Sequence, residues 1–305
     1  MDKKLDKNMI KRIIFVLVFI IIVVGIILII QNTNKTEKAL KEKGYTKEDI
    51  AIITEKLSET DIEKILNIEY NQKLTSIISE QYYIPDNLER YLNYSTKTDN
   101  IKDIISIVNV GADSDWYTNT KETNLDDGIK MLVNKFHYLK DDYAPDDIVP
   151  ILNWYAYEGH STKKEVYDKY VDMWNAANEQ GLVLLVNSSF RTLEDQQEEY
   201  DAFGDDYASR PGFSEHQTGL ALDIVSDGVQ GNEFENTDEF KWLQENAHNY
   251  GFILRYPKGK EHITGYSYES WHYRYVGKEL AIKVKESGLT YDEYYAYFCE
   301  YKKAC

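Results

Sequence analysis

Between residues 13 and 30 the chain carries no charged or polar side chain. As a helix rising about 1.5 Å per residue, these eighteen residues cover roughly 27 Å, close to the hydrocarbon thickness of a bilayer. Beyond them the pattern turns periodic. Ile50, Ile53, Leu57, Ile62, Ile65 and Leu66 recur at spacings of three and four, which predicts short amphipathic helices. Thr46 ahead of Glu48 and Asp49, and Ser58 or Thr60 ahead of Glu63, are candidate helix starts. From about Asp127 the texture changes: the pattern predicts a helix over 162–180 stopped by Gly181, a buried strand over 182–186 and a helix over 193–203. A second strand follows over 220–225, then a helix over 237–250 closed by Gly251, and strands over 252–255 and 271–276. Helices and strands mixed without regular alternation predict an α+β domain with an antiparallel sheet.

Charge orients the apolar segment. Lys3, Lys4, Lys7, Lys11 and Arg12 precede it, so a retained anchor would keep its amino terminus in the cytoplasm and place everything after Gln31 outside. A cleaved signal peptide is the competing reading, but the apolar run is too long and the Gln31-Asn32-Thr33-Asn34 continuation lacks a small-residue cleavage site. The expected organisation is a cytoplasmic tail over 1–12, a membrane helix over 13–30, a helical spacer or small module over 31–127, a catalytic domain over 128–298 and a tail over 299–305. The chain's formal charge of −17 disfavours nucleic acid as a partner. Its two cysteines, Cys299 and Cys305, either pair in an oxidising exterior or stand as free tail thiols.

Six histidines occur, and His216 and His272 each have a carboxylate close by in sequence. A catalytic zinc needs three nitrogen or oxygen ligands and an open position, which His216, Asp223 and His272 can supply. In a regular strand positions 216 and 223 would face opposite sides, but Gly219 permits a bend that leaves His216 in a loop and Asp223 on the strand. Glu269 offers the base that takes a proton from water and returns one to the leaving amine. A surface glutamate near a buried histidine is the bland alternative. Arg191, after one predicted strand and before a helix, can bind a carboxylate or a developing oxyanion, or serve only as a structural ion pair. His248 and His262 read as structural, and no nucleophile-elbow pattern supports Ser188 or Ser214 as a serine nucleophile.

Three ordered stretches, 188–196 (SSFRTLEDQ), 210–224 (RPGFSEHQTGLALDI) and 250–277 (YGFILRYPKGKEHITGYSYESWHYRYVG), closely resemble VanY-type D-alanyl-D-alanine carboxypeptidases and the related L,D-carboxypeptidases. The resemblance covers roughly 128–298. It implies one zinc ion held by His216, Asp223 and His272, with Glu269 as base and Arg191 orienting substrate and stabilising the oxyanion. It also implies a substrate site lined by Ser188, Gln196 and Ser214, in the small α+β zinc-peptidase fold shared with Hedgehog-type domains. The implied substrates are peptidoglycan stem peptides. An L,D-carboxypeptidase and a non-catalytic wall-binding receptor on the same scaffold are the alternatives. Ser270 stands where relatives often carry proline.

Overall fold

The computed structural model describes residues 7–305 apart from 206 and 230; Lys3, Lys4 and the first half of the expected cytoplasmic tail lie outside the described residues. The chain divides into two compact units between Ile101 and Lys102.

The first unit is helical. Helix α1 (Lys7–Lys43) contains the apolar segment and runs on past it, so the expected membrane helix and the start of the expected spacer are one element. Physically this follows from composition: after Gly25 no glycine or proline interrupts the chain until Gly44. Its apolar stretch is long enough to cross a bilayer and is exposed among the described residues. Helix α2 (Lys47–Lys56) starts at Thr46, whose hydroxyl accepts the Asp49 N–H while Asp49 reaches back to the Thr46 N–H. Ser58 caps α3 (Glu59–Asn67) through the Asp61 N–H. With α4 (Leu74–Ser79) and α5 (Leu88–Tyr94), these helices bury Ile53, Ile65, Leu74, Ile77 and Tyr91 around Leu40 at the far end of α1.

The second unit opens with α6 (Ile101–Val110), which buries Ile104, Ile105, Ile107, Val108 and Val110. Sequence texture placed the start of the catalytic domain at 128. The compact unit that contains it begins at Lys102, because this apolar face packs into it and Ser106 hydrogen-bonds Glu293 near the other end of the chain. Two small pairings follow, parallel β1 (Lys121–Glu122) with β2 (His137–Tyr138) and antiparallel β3 (Ile148–Pro150) with β4 (Ser161–Lys163). After α7 (Lys164–Asn178) come β5 (Leu184–Ser188), α8 (Leu193–Phe203), β6 (Ala221–Ser226), α9 (Asp238–Asn246), β7 (Phe252–Leu254), α10 (Glu261–Thr264) and β8 (His272–Tyr275). The chain ends in α11 (Lys278–Ser287), α12 (Tyr291–Tyr294) and a π-helical turn over Tyr295–Tyr301.

Four strands form one antiparallel sheet in the order β5-β6-β8-β7. Side chains alternate along β6, so Leu222 and Ile224 join Val166, Tyr170 and Met173 of α7 in the core while Asp223 turns to the other face. That core fixes the strand's register, since a one-residue slip would turn the aspartate into the apolar core and move Leu222 and Ile224 to the face that carries it. Cys299 and Cys305 are disulfide-bonded to each other, and Glu300 binds His137 and Lys121, so part of the expected tail is docked on the domain.

Candidate metal centre

Register brings the first two groups together. Asp223 on β6 is paired directly with His272 on β8, and cross-strand partners place their side chains about 5 Å apart on one face. His216 arrives from a single 3-10 turn (Glu215–Thr218) that ends at Gly219, whose left-handed backbone (φ 68°, ψ 15°) redirects the chain into β6. A side chain there would crowd its neighbours: a Cβ on Gly219 would sit 2.8 Å from Ile148 Cδ1. The expected bend is therefore present at the expected residue.

Asp223 Oδ1 lies 3.4 Å from His216 Nε2 and 3.1 Å from His272 Nδ1, and all three donor atoms fall within 4.8 Å of one another. Ligands about 2.1 Å from a tetrahedral metal are separated by about 3.4 Å, so the spacing suits a zinc-sized ion. The hydrogen-bond partners show which nitrogens are available. His216 Nδ1 is 2.7 Å from the Ser189 carbonyl, which can only accept, so Nδ1 carries the proton and Nε2 presents its lone pair. His272 Nε2 faces Glu215 Oε2 at 3.4 Å, leaving Nδ1 to point at Asp223. Asp223 Oδ1 itself is buried and accepts no hydrogen bond from the protein. A buried carboxylate oxygen without a donor, between two inward-facing imidazole nitrogens, suits a cation.

Electrostatics agree. Burial, helped by the Arg191 charge, lowers His216 to about 4 and favours a neutral imidazole. His272 is also penalised by burial, but the Asp223 and Glu215 carboxylates outweigh that and push it up to about 9. The pocket thus favours positive charge. Asp223, despite burial, is kept well below the usual carboxylate range by the two histidines. Glu269, three residues before His272, places Oε2 3.5 Å from His272 Nδ1, and burial pushes its carboxyl up to about 7.

A cavity of about 170 Å³ joins these groups to Arg191, Ser214, Tyr207, Tyr256, Tyr266 and Trp271. Ser188 and Gln196 do not line it, in contrast to the sequence expectation. They hold Arg191 instead: its Nε donates to Gln196 Oε1 at 3.0 Å and its Nη1 to Ser188 Oγ at 3.1 Å. Gln196 is fully buried and donates in turn to the Ser209 carbonyl, because α8 aims it back under the arginine. Ser270 is buried with its hydroxyl 3.3 Å from the Gly231 carbonyl, away from the metal donors. His248 and His262 lie elsewhere, the latter half-exposed beside Asp103.

Sequence reasoning gave no role to Glu215. It is fully buried, with Oε1 accepting from Arg255 Nε and Arg274 Nη1 at 2.8 Å each and Oε2 facing His272. Its position beside His216 was visible, but its partners lie about forty and sixty residues away, where spacing carries no signal.

Comparison with known proteins places this geometry. The family described as VanY, D-alanyl-D-alanine carboxypeptidase, matches residues 159–278. The chain is 40% identical over 184 residues to the putative carboxypeptidase YodJ of Bacillus subtilis (strain 168), a match covering 55% of this chain and 67% of that protein. It is 35% identical over 184 residues to a D-alanyl-D-alanine carboxypeptidase of Enterococcus faecium, covering 57% of this chain and 60% of the relative. The solved structure of the LdcB LD-carboxypeptidase superposes with a TM-score of 0.55 at 38% identity, covering 59% of this chain and 91% of that one. The chain belongs to the VanY-type family of D-alanyl-D-alanine carboxypeptidases.

Proposed function

We propose that this chain removes the terminal D-alanine from peptidoglycan stem peptides, with His216, Asp223 and His272 holding one zinc ion. The observation that carries the reading is the donorless Asp223 Oδ1 between His216 Nε2 and His272 Nδ1, with Glu269 alongside. Bound there, zinc would polarise the scissile carbonyl and bring the pKa of a water ligand to about 7. Glu269 takes a proton from the attacking water and delivers it to the departing amine, a double duty suited to a carboxyl raised by burial. Arg191, fixed by Ser188 and Gln196, presents its remaining N–H groups to the cavity, where a substrate carboxylate or the oxygen gaining charge would accept them. Ser214 lines the same cavity as a further polar contact.

A second reading, removal of D-alanine from tetrapeptide stems by L,D cleavage, is favoured by the likeness to the LdcB LD-carboxypeptidase. Both use one metal site and differ in the stereochemistry accepted before the cleaved bond. Incubating the full chain in detergent with penta- and tetrapeptide stems, and weighing the products, decides between them. Loss of alanine from neither, with peptide retained on the zinc-loaded protein, would instead identify a wall-binding receptor.

The apolar part of α1 is proposed to cross the membrane with its amino terminus in the cytoplasm, led by Lys11 and Arg12, which puts the catalytic unit on the wall side. The Cys299–Cys305 bridge supports an oxidising exterior for that unit.

A further inference from the structure

We infer that Glu215 is a positioning residue for the metal centre: clamped by two buried arginines, it holds His272 in the tautomer whose Nδ1 ligates zinc. This rests on the metal-site reading above and goes beyond it. Arg255, Arg274, Glu215 and Asp292 are all at most 1% exposed, and their two positive and two negative charges balance. Arg255 reaches Glu215 through Nε and Asp292 through Nη2 at 3.0 Å, and Asn134 donates to Asp292 at 2.7 Å. Arg274 reaches Glu215 through Nη1, while its Nη2 donates to the Ile129 and Met131 carbonyls. With two guanidinium donors on Oε1, Glu215 is an acceptor only, so the His272 nitrogen that faces Oε2 must carry the proton. Nδ1 is then the lone pair available to the cation, 3.1 Å from Asp223 Oδ1. Carboxylates behind metal-ligating imidazoles fix ring orientation and raise ligand basicity. Here the carboxylate is itself braced from α12, so the last helices of the chain buttress a metal ligand on β8.

The test uses the full chain in detergent. Zinc affinity is measured by competition with a chromophoric chelator for wild type and Glu215→Gln, with circular dichroism as the folding control. The expected result is about a 10- to 100-fold loss of affinity in the folded variant. Wild-type affinity in that variant overturns the inference. Because the substitution removes a charge from a buried network, histidine ¹⁵N NMR of zinc-loaded wild type provides an independent decision. His272 protonated at Nε2 and ligating through Nδ1 supports the assignment, and the reverse overturns it whether or not the variant folds. Failure of wild type to take up zinc would sink the metal-site reading itself, a result distinct from either.

Discussion

Glu269 Oε2 lies 3.5 Å from Nδ1 of His272, the nitrogen that also faces Asp223. The proposed base is thus beside the proposed metal ligands and lines the cavity, and its main chain is tied by a hydrogen bond from its N–H to the Tyr256 carbonyl. Proton transfer by a positioned side chain contributes about 10²- to 10⁴-fold, so Glu269→Ala should lose that much in kcat while still binding one zinc. Product release timed by mass spectrometry, alongside metal analysis, checks both halves. Near-normal turnover would remove Glu269 from the mechanism.

The same residue sets an acid limit. In the metal-free site, burial, opposed by His272 and reinforced by Asp223, pushes its carboxyl up to about 7. A bound cation favours the ionised form and moves that value down. Because a base works ionised, kcat/KM should fall about tenfold per pH unit on the acid side, with the midpoint below 7 and absent in Glu269→Gln. For stability the sign runs the other way. A carboxyl raised by folding contributes stability that is fully present below its unfolded pKa of 4.5 and is lost as pH rises through about 7. Urea titrations of metal-free protein should therefore show Glu269→Gln gaining on wild type as pH rises over that window.

Arg191 and Gln196 separate contact from support. Arg191→Ala should cost about 10²- to 10³-fold in kcat/KM if its guanidinium meets developing charge. Gln196→Ala removes one neutral acceptor behind the arginine, a loss of about 1 kcal/mol, and should cost only about three- to tenfold. Equal losses in the two variants would mean that Gln196 contacts substrate itself.

Much of this site was legible in the chain because its parts depend on short-range rules. Alternation along 220–225 put Asp223 opposite the core residues Leu222 and Ile224, and Gly219 marked the bend that frees His216. Helix α8 was bounded by Thr192, a capping residue, and by Gly204. What stayed hidden depends on distant packing. The apolar face of α6 has the same periodicity as the helices of the first unit, and only its burial among later residues assigns it to the second. Ser188 and Gln196 are polar residues flanking Arg191, and sequence alone does not say whether they face substrate or the guanidinium.

Metal removal should be reversible. Chelation is expected to abolish turnover and zinc to restore it, without unfolding, because the core of α7, β5, β6 and β8 does not involve the donor atoms. A ligand present at about a thousandfold over its Kd stabilises by about 4 kcal/mol, which for a domain near 200 residues raises Tm by roughly 10 °C. Differential scanning calorimetry with and without zinc measures it. An unchanged Tm would mean that His216, Asp223 and His272 do not bind the ion together.

Gly219 supplies the most local test of how the site is built. Its φ of 68° lies in the left-handed region, which costs a residue bearing a side chain about 1–2 kcal/mol. An added Cβ would also sit 2.8 Å from Ile148 Cδ1 and 3.0 Å from Lys163 Cγ, and overpacking of this kind costs about 1–3 kcal/mol more. The neighbouring backbone has little freedom to yield, since the Gly219 carbonyl accepts from Thr162 Oγ1 and the Lys163 N–H. Relief must then come from the Ile148 and Lys163 side chains or from the turn that carries His216. Gly219→Ala should lower Tm by roughly 5–15 °C and weaken zinc binding more than Gly228→Ala, a control at another positive-φ glycine with no atom near its added Cβ. Equal zinc affinity in the two variants would show that His216 is placed by something other than this bend.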